Sequence, residues 1–132
     1  MPDLWANTRV IGLIQRFDNA YLVCRAAGDP TVPWTFPTGE TAPGESCEAA
    51  MRRCGESLLG MRLEIDVGQP PIAAVLEGRP MTLRYFFCGV LGERPPQPPR
   101  VEHRWVRKDE LLTLPVDPLH ADVIRWLAQQ PL

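Results

Sequence analysis

The stretch from Ser46 to Gly60 constrains this chain more than any other. Cys47, Ala50, Met51, Cys54 and Leu58 recur at the i, i+3, i+4, i+7, i+11 spacing of one helix face, with polar residues between them. Ser46 offers an N-cap oxygen, and Gly60 is free to turn left-handed just past the last turn, so the spacing predicts a helix over Ser46–Leu59. Gly55 inside it costs about 1 kcal/mol relative to alanine. A short helix with one continuous apolar stripe is marginal alone, so that stripe reads as a packing surface for another layer or as an apolar ligand surface.

The remaining patterns supply such a layer. Thr8–Gln15 and Tyr21–Arg25 read as strands, and Phe17-Asp18-Asn19-Ala20 between them predicts a hairpin. Gly28–Pro33 is a loop. After the helix, Arg62–Val67, Ile72–Leu76, Met81–Leu91 and Val101–Val106 read as strands, with a hairpin turn at Glu77-Gly78-Arg79-Pro80. Tyr85 and Phe87 alternate with Phe86, directing one aromatic face inward as core or as a stacking platform. RPPQPPR at 94–100 reads as a stiff loop, or else as a ligand for a proline-recognition domain. Asp109–Leu112 predicts a short helical turn. Asp117–Gln130 predicts a final helix, with Pro118 in its first turn and Val123, Ile124 and Leu127 on one face. Strands on both sides of a helix, and a second helix at the end, give a layered α/β (α+β) domain; 132 residues suit one domain over 1–132.

Charge and cysteine usage narrow the partners. A net charge of -2 leaves no electrostatic footprint for nucleic acid or a membrane surface. Lys108 is the only lysine, and arginine forks phosphate well, although an arginine-favouring codon bias explains the same composition. MPDLWANTRV has neither the basic nor the apolar region of a signal peptide, and no apolar run is long enough for a bilayer. Cys24, Cys47, Cys54 and Cys88 show no C-x-x-C spacing. The expectation is a cytoplasmic chain with reduced thiols and no zinc. A soft-metal site from Cys47, Cys54 and His103 is the alternative.

The segment Trp34–Met61 reads WTFPTGETAPGESCEAAMRRCGESLLGM. It resembles the signature of the Nudix (MutT-like) pyrophosphohydrolases, G-x5-E-x7-R-E-U-x-E-E-x-G-U, with U a bulky aliphatic residue. Without a gap, Gly39, Glu45, Arg53, Gly60 and Met61 fall on signature positions. Trp34, Phe36 and Pro37 match the family's lead-in, and Pro43-Gly44-Glu45-Ser46 its turn into the helix. Trp105-Val106 followed by Asp109-Glu110-Leu111 resembles its late strand and helix start, so the resemblance covers nearly the whole chain. It implies a Nudix fold, a mixed β-sheet packed between helices as an α/β/α sandwich. It also implies a nucleotide-like ligand, a nucleoside diphosphate linked to a further group.

The departures fall on the acids that hold Mg²⁺ or Mn²⁺ in the family. Those positions are Cys54, Ser57 and Leu58 here, the U position is Gly55, and Ala42 replaces a glutamate often found before Glu45. Glu48 and Glu56 remain acidic but lie around the helix from Cys54 and Leu58. Mg²⁺ wants oxygen ligands, and a thiol does not replace a carboxylate for it. Metal-dependent pyrophosphate hydrolysis is therefore expected to be impaired or lost. An active but atypical pyrophosphohydrolase using Glu45 and Glu102 is the alternative, so enzyme and silent binding module both stay open.

By resemblance, Glu45 is the remaining metal ligand or base, and Arg53 is the arginine that orients a signature carboxylate. Glu102, ahead of Trp105, stands where many members supply a further acid to the metal. Arg25 resembles an arginine that touches phosphate or base, and His120 stands where some members read a nucleobase. Each has a plainer reading: a helix-start acid for Glu45, surface side chains for Arg53, Arg25 and His120, a solvated strand end for Glu102. Glu40 lies near the site but off register.

Overall fold

The computed structural model describes residues 7–16, 18–26, 28–93 and 101–130. The opening MPDLWA, the Phe17 position of the first expected turn and the proline-rich segment 94–100 lie outside them. The elements are β1 (Thr8–Ile14), β2 (Tyr21–Ala26), β3 (Thr38–Glu40), α1 (Cys47–Cys54), β4 (Met61–Gly68), β5 (Ile72–Leu76), β6 (Arg79–Glu93), β7 (Val101–Val106), α2 (Lys108–Leu111) and α3 (Ala121–Gln129). Among the described residues no helix is long and apolar enough to cross a membrane.

β1 is central. It runs parallel to β6 and antiparallel to β3 in a mixed sheet of order β3-β1-β6-β4, with β5 also paired to β6. Both edges of β1 are paired and both faces covered, which is why Val10, Ile11, Leu13 and Ile14 are wholly buried. Val10 and Ile14 join the core beneath α1, while Ile11 and Leu13 join a second core with Leu111, Ile124 and Leu127 from α2 and α3. The sheet thus lies between α1 on one side and α2 with α3 on the other, the expected sandwich.

The expected β1–β2 hairpin is not formed. β2 pairs antiparallel with β7 in a separate two-stranded sheet, and among the described residues it meets the end of β1 through the bridge Gln15↔Tyr21 and the bond from the Arg16 amide to the Ala20 carbonyl. The turn chemistry was legible, with Asn19 left-handed (φ 61°) and Asp18 gripped by Arg16. The pairing was not, because both edges of β1 are taken by β3 and β6. β6 also departs from the expected one-sided aromatic face: Tyr85 and Phe87 pack in the α3 core and Phe86 in the α1 core.

α1 begins as expected, with the Ser46 hydroxyl accepting from the Ala49 amide, but its α-form ends at Cys54. Gly55–Leu59 forms a π-helical turn closed by left-handed Gly60 (φ 65°). The wider turn shifts the register by one residue, so Leu59 takes the buried position and Leu58 is half-buried. Gly55 is there for space. A Cβ on it would lie 2.6 Å from Leu63 Cδ1 and 3.1 Å from the Met61 carbonyl oxygen.

Helix propensity alone would make Gly55→Ala stabilising. Because Leu63 is itself buried and the Met61 carbonyl is backbone, we expect the substitution to destabilise by about 1–3 kcal/mol, the cost of overpacking. Urea unfolding of both proteins reads this directly; a raised midpoint would refute it.

Candidate functional site

The loop before α1 is fastened to the helix by one arginine. Arg53, on the helix's last turn, donates from Nε to Glu45 Oε2 (3.0 Å) and from Nη2 to Glu45 Oε1 (2.9 Å) and the Glu40 carbonyl (2.7 Å). The Ala42 amide donates to the same carboxylate at 2.9 Å, and the Glu45 amide returns a bond to the Ala42 carbonyl. The Arg53 hydrogen bonds, and after them the Ala42 amide, hold the Glu45 carboxyl down to about 2. A carboxylate so held is a poor proton acceptor, and its oxygens are already engaged. Of the expected catalytic pair, Glu45 and Arg53 are therefore brought together, as a clasp.

The expected metal face is closed. Cys54 is 3% exposed; a Cβ on Gly39 would stand 3.2 Å from Cys54 Cβ, so strand and helix touch there. Burial pushes its thiol up to about 11, with the Arg53 charge opposing. Cys24 and Cys88 are pushed up to about 12, burial again leading and Cys54 contributing to both. All four cysteines are buried, and His103 is exposed. Ser57 is exposed, and Leu58 packs against the α1 core. Buried protonated thiols, one hydroxyl, a leucine and a clasped glutamate are not a donor set for Mg²⁺ or Mn²⁺. Among the described residues, no three His, Cys, Asp or Glu side chains gather into a metal-holding group.

Glu102 does not join Glu45. It sits opposite Arg25 across β2 and β7, and the two form an ion pair from Arg25 Nε to Glu102 Oε1. Strand alternation sets both on the face opposite Cys24, Val101 and Trp105, which pack toward α1. The Arg25 guanidinium lies 4.2 Å from the centre of the Trp34 ring and also reaches the Pro30 carbonyl. Glu40 is exposed; its carboxylate pairs loosely with Arg9 at 3.6 Å.

His120 is a core residue, contrary to the surface reading, with 1% exposure. It ends a turn of 3-10 helix, Pro118–His120, capped by Asp117. Its Nε2 lies 2.7 Å from the Thr35 hydroxyl and its Nδ1 2.9 Å from the Tyr85 hydroxyl, with Phe36 edge-on at 5.1 Å. Desolvation, only partly offset by Asp117, lowers its pKa to about 4, so the ring is neutral. Sequence reasoning did not find Thr35 or Tyr85 as partners, since 85 and 35 residues separate them from His120. Trp34 was visible only as part of a motif, not as a platform for Arg25.

A family model described as the NUDIX domain matches residues 6–127. The nucleoside triphosphatase NudI of Enterobacter sp. (strain 638) is 40% identical over 67 residues, 48% of this chain and 47% of that protein. The chain thus matches about half the length of that curated relative. A NUDIX hydrolase from Nitrosomonas europaea superposes with a TM-score of 0.75 at 22% identity, over 90% of this chain and 86% of its own. The E. coli dihydroneopterin triphosphate pyrophosphohydrolase gives 0.71 at 14% identity, over 92% and 94%. At these identities the superpositions speak for the fold.

Two expectations follow. An unfolded chain protonates His120 near 6.5 and the folded one only near 4, so the stabilisation is complete above 6.5 and is lost as pH falls toward 4. The loss reaches about 3 kcal/mol at most, and His120→Gln should flatten that part of a stability-against-pH curve. Cys54→Glu should lower the melting temperature sharply, because an unpaired carboxylate would be buried against Gly39. A melting temperature equal to the parent's, measured without metal, would show that this face is open.

Proposed function

The chain belongs to the NUDIX domain family, and from that premise we propose that it is a single domain over 1–132 which binds a nucleotide-like small molecule, with metal-dependent hydrolysis impaired or lost. The ligand class is a nucleoside diphosphate linked to a further group, and the setting is the cytoplasm, with neither nucleic acid nor membrane as partner. The observation that carries this reading is the state of the signature helix. Cys54 is sealed against Gly39, and Glu45 is bound on both oxygens. The atypical-enzyme reading needs Glu45 and Glu102 on one cation, whereas each is engaged by its own arginine.

Binding needs less. Arg25 lies against Trp34 with one edge on Glu102, and a phosphate oxygen competes for the same fork. His120 acts as a positioning residue, holding Thr35 beside Trp34 from within the core. In the family a bound divalent cation neutralises the pyrophosphate and activates water. Here the donor set does not fit that cation, and no step passes through it.

The test is a thermal shift with a panel of nucleoside diphosphate sugars in EDTA, beside calorimetry with Mg²⁺ or Mn²⁺. At least one nucleotide should raise the melting temperature without metal. Arg25→Ala should weaken that binding roughly ten- to hundredfold, the worth of a charged hydrogen bond. Stoichiometric Mg²⁺ binding at micromolar concentration, or metal-dependent turnover abolished by Glu45→Gln, would overturn the reading in favour of an active enzyme.

A further inference from the structure

A strand at the rim of a sheet exposes unpaired N–H and C=O groups, and chains ordinarily protect such rims with charge, brevity or a cover. β3 is three residues long. β4 exposes Arg62, Glu64 and Asp66, and β7 carries Glu102 and Arg104. The outer edge of β2 is bridged by Thr35, which exchanges both backbone bonds with Cys24. Among the described residues, β5 has none of these protections. Its sequence is IAAVL, no charged residue occurs from 67 to 76, and Val75 and Ile72 are 72% and 42% exposed.

The hydrogen-bond directions of β5 follow from its hairpin. The two-residue turn Glu77-Gly78, left-handed at both positions, makes Leu76 and Arg79 a bonded pair, so Ala74 and Ile72 also bond to β6. The Thr82 amide confirms the phase, since it points to β1 and bonds the Asn7 carbonyl at 2.9 Å. Its partner Ala73 therefore directs N–H and C=O outward. So does Val75, whose partner Pro80 has no N–H to give.

We propose that β5 is a self-pairing strand, through which a second copy of this chain joins antiparallel across a two-fold axis at Ala74. Ala73 then exchanges both backbone bonds with Val75 of the partner subunit, and Val75 does the same in return. Sliding by two residues one way sets Pro71, with no N–H, against Val75. Sliding the other way sets Glu77, held left-handed at φ 52°, against Ala73. Only the register centred on Ala74 uses every outward donor and acceptor of the strand.

A two-fold axis lays a surface against itself, so a charged rim would meet its own charge, whereas this neutral one does not. Stable interfaces bury roughly 1,200–2,000 Å². Five paired residues do not supply that alone. The surface continues beside them into a cleft of about 350 Å³ bordered by Pro70, Pro71, Ile72, Val123 and half-exposed Trp126, with Asp122, paired to Arg125, as its charged side chain. This proposal does not depend on ligand binding or hydrolysis.

Sedimentation equilibrium of the full chain over a dilution series should give a dimer that dissociates on dilution. Val75→Lys should be monomeric throughout with an unchanged far-UV spectrum, since that side chain already faces solvent. With oxidised glutathione as oxidant, Ala74→Cys should form a disulfide-linked dimer. Two thiols are oxidised and glutathione is reduced, and Ala74 meets its own copy at the close, non-bonded spacing of about 4.5 Å between Cα atoms. Ala73→Cys, which faces valine, should not crosslink. A monomer at every concentration overturns the proposal, as does a Val75→Lys variant that dimerises like the parent, or equal crosslinking of both cysteine variants.

Discussion

The seating of α1 on the sheet rests on glycine. Met51 occupies the space above Gly12, where a Cβ would come within 2.8 Å of its methyl carbon. Cys54 meets Gly39 on β3, and Leu63 of β4 covers Gly55 within the helical segment itself. Three contacts without a Cβ on one side let α1 descend far enough to bury Cys47, Ala50, Met51 and Cys54. Once it is seated, the loop from Glu40 to Ser46 has a fixed end, and the Arg53–Glu45 clasp closes over it. The clasp is thus a consequence of the packing, and its geometry is only as firm as the glycine contacts below.

The same physics gives the matched signature positions structural roles of their own. Gly39, Glu45, Arg53 and Gly60 have roles that do not need a metal: close approach, loop closure and a left-handed helix stop. Cys54, Ser57 and Leu58 are positions whose family chemistry is to present carboxylates to a cation. Two of them now contribute to the α1 core, Cys54 as a member and Leu58 packed against it.

The family signature and layered class were legible because they depend on local signals: helix spacing, a cap, a left-handed glycine. Residue placements that depend on distant pairing were not. The Asp18-Asn19 turn was readable, yet β1 and β2 enter different sheets because β6, more than 60 residues later, takes the edge of β1. Arg25 and Glu102 were each visible, but not their register across β2 and β7. His120 reads as a polar residue near a helix start, and nothing local shows that Thr35 and Tyr85 satisfy both its nitrogens. The π-turn at Gly55–Leu59 exchanged Leu58 for Leu59 in the core, a change of one residue that a constant helical period cannot anticipate.

An acidic signature face carries a penalty that only a cation removes, because three carboxylates at i, i+3 and i+4 repel one another on one helix. Replacing them by a thiol, a hydroxyl and a leucine removes that repulsion and lets the helix add apolar contacts. The change is self-reinforcing. Each contact that Cys54 makes with Gly39, or Leu59 with the core, raises the cost of returning a carboxylate to that stretch. Arg53 shows the other half of the exchange. With no acid at position 54 to orient, its guanidinium is committed to Glu45 and the Glu40 carbonyl, so the loop is held shut by the residue pair that resembles catalytic machinery. Under the proposed reading, ligand recognition falls to side chains off the helix, where Arg25 lies on the Trp34 ring and pairs with Glu102, apart from the clasp.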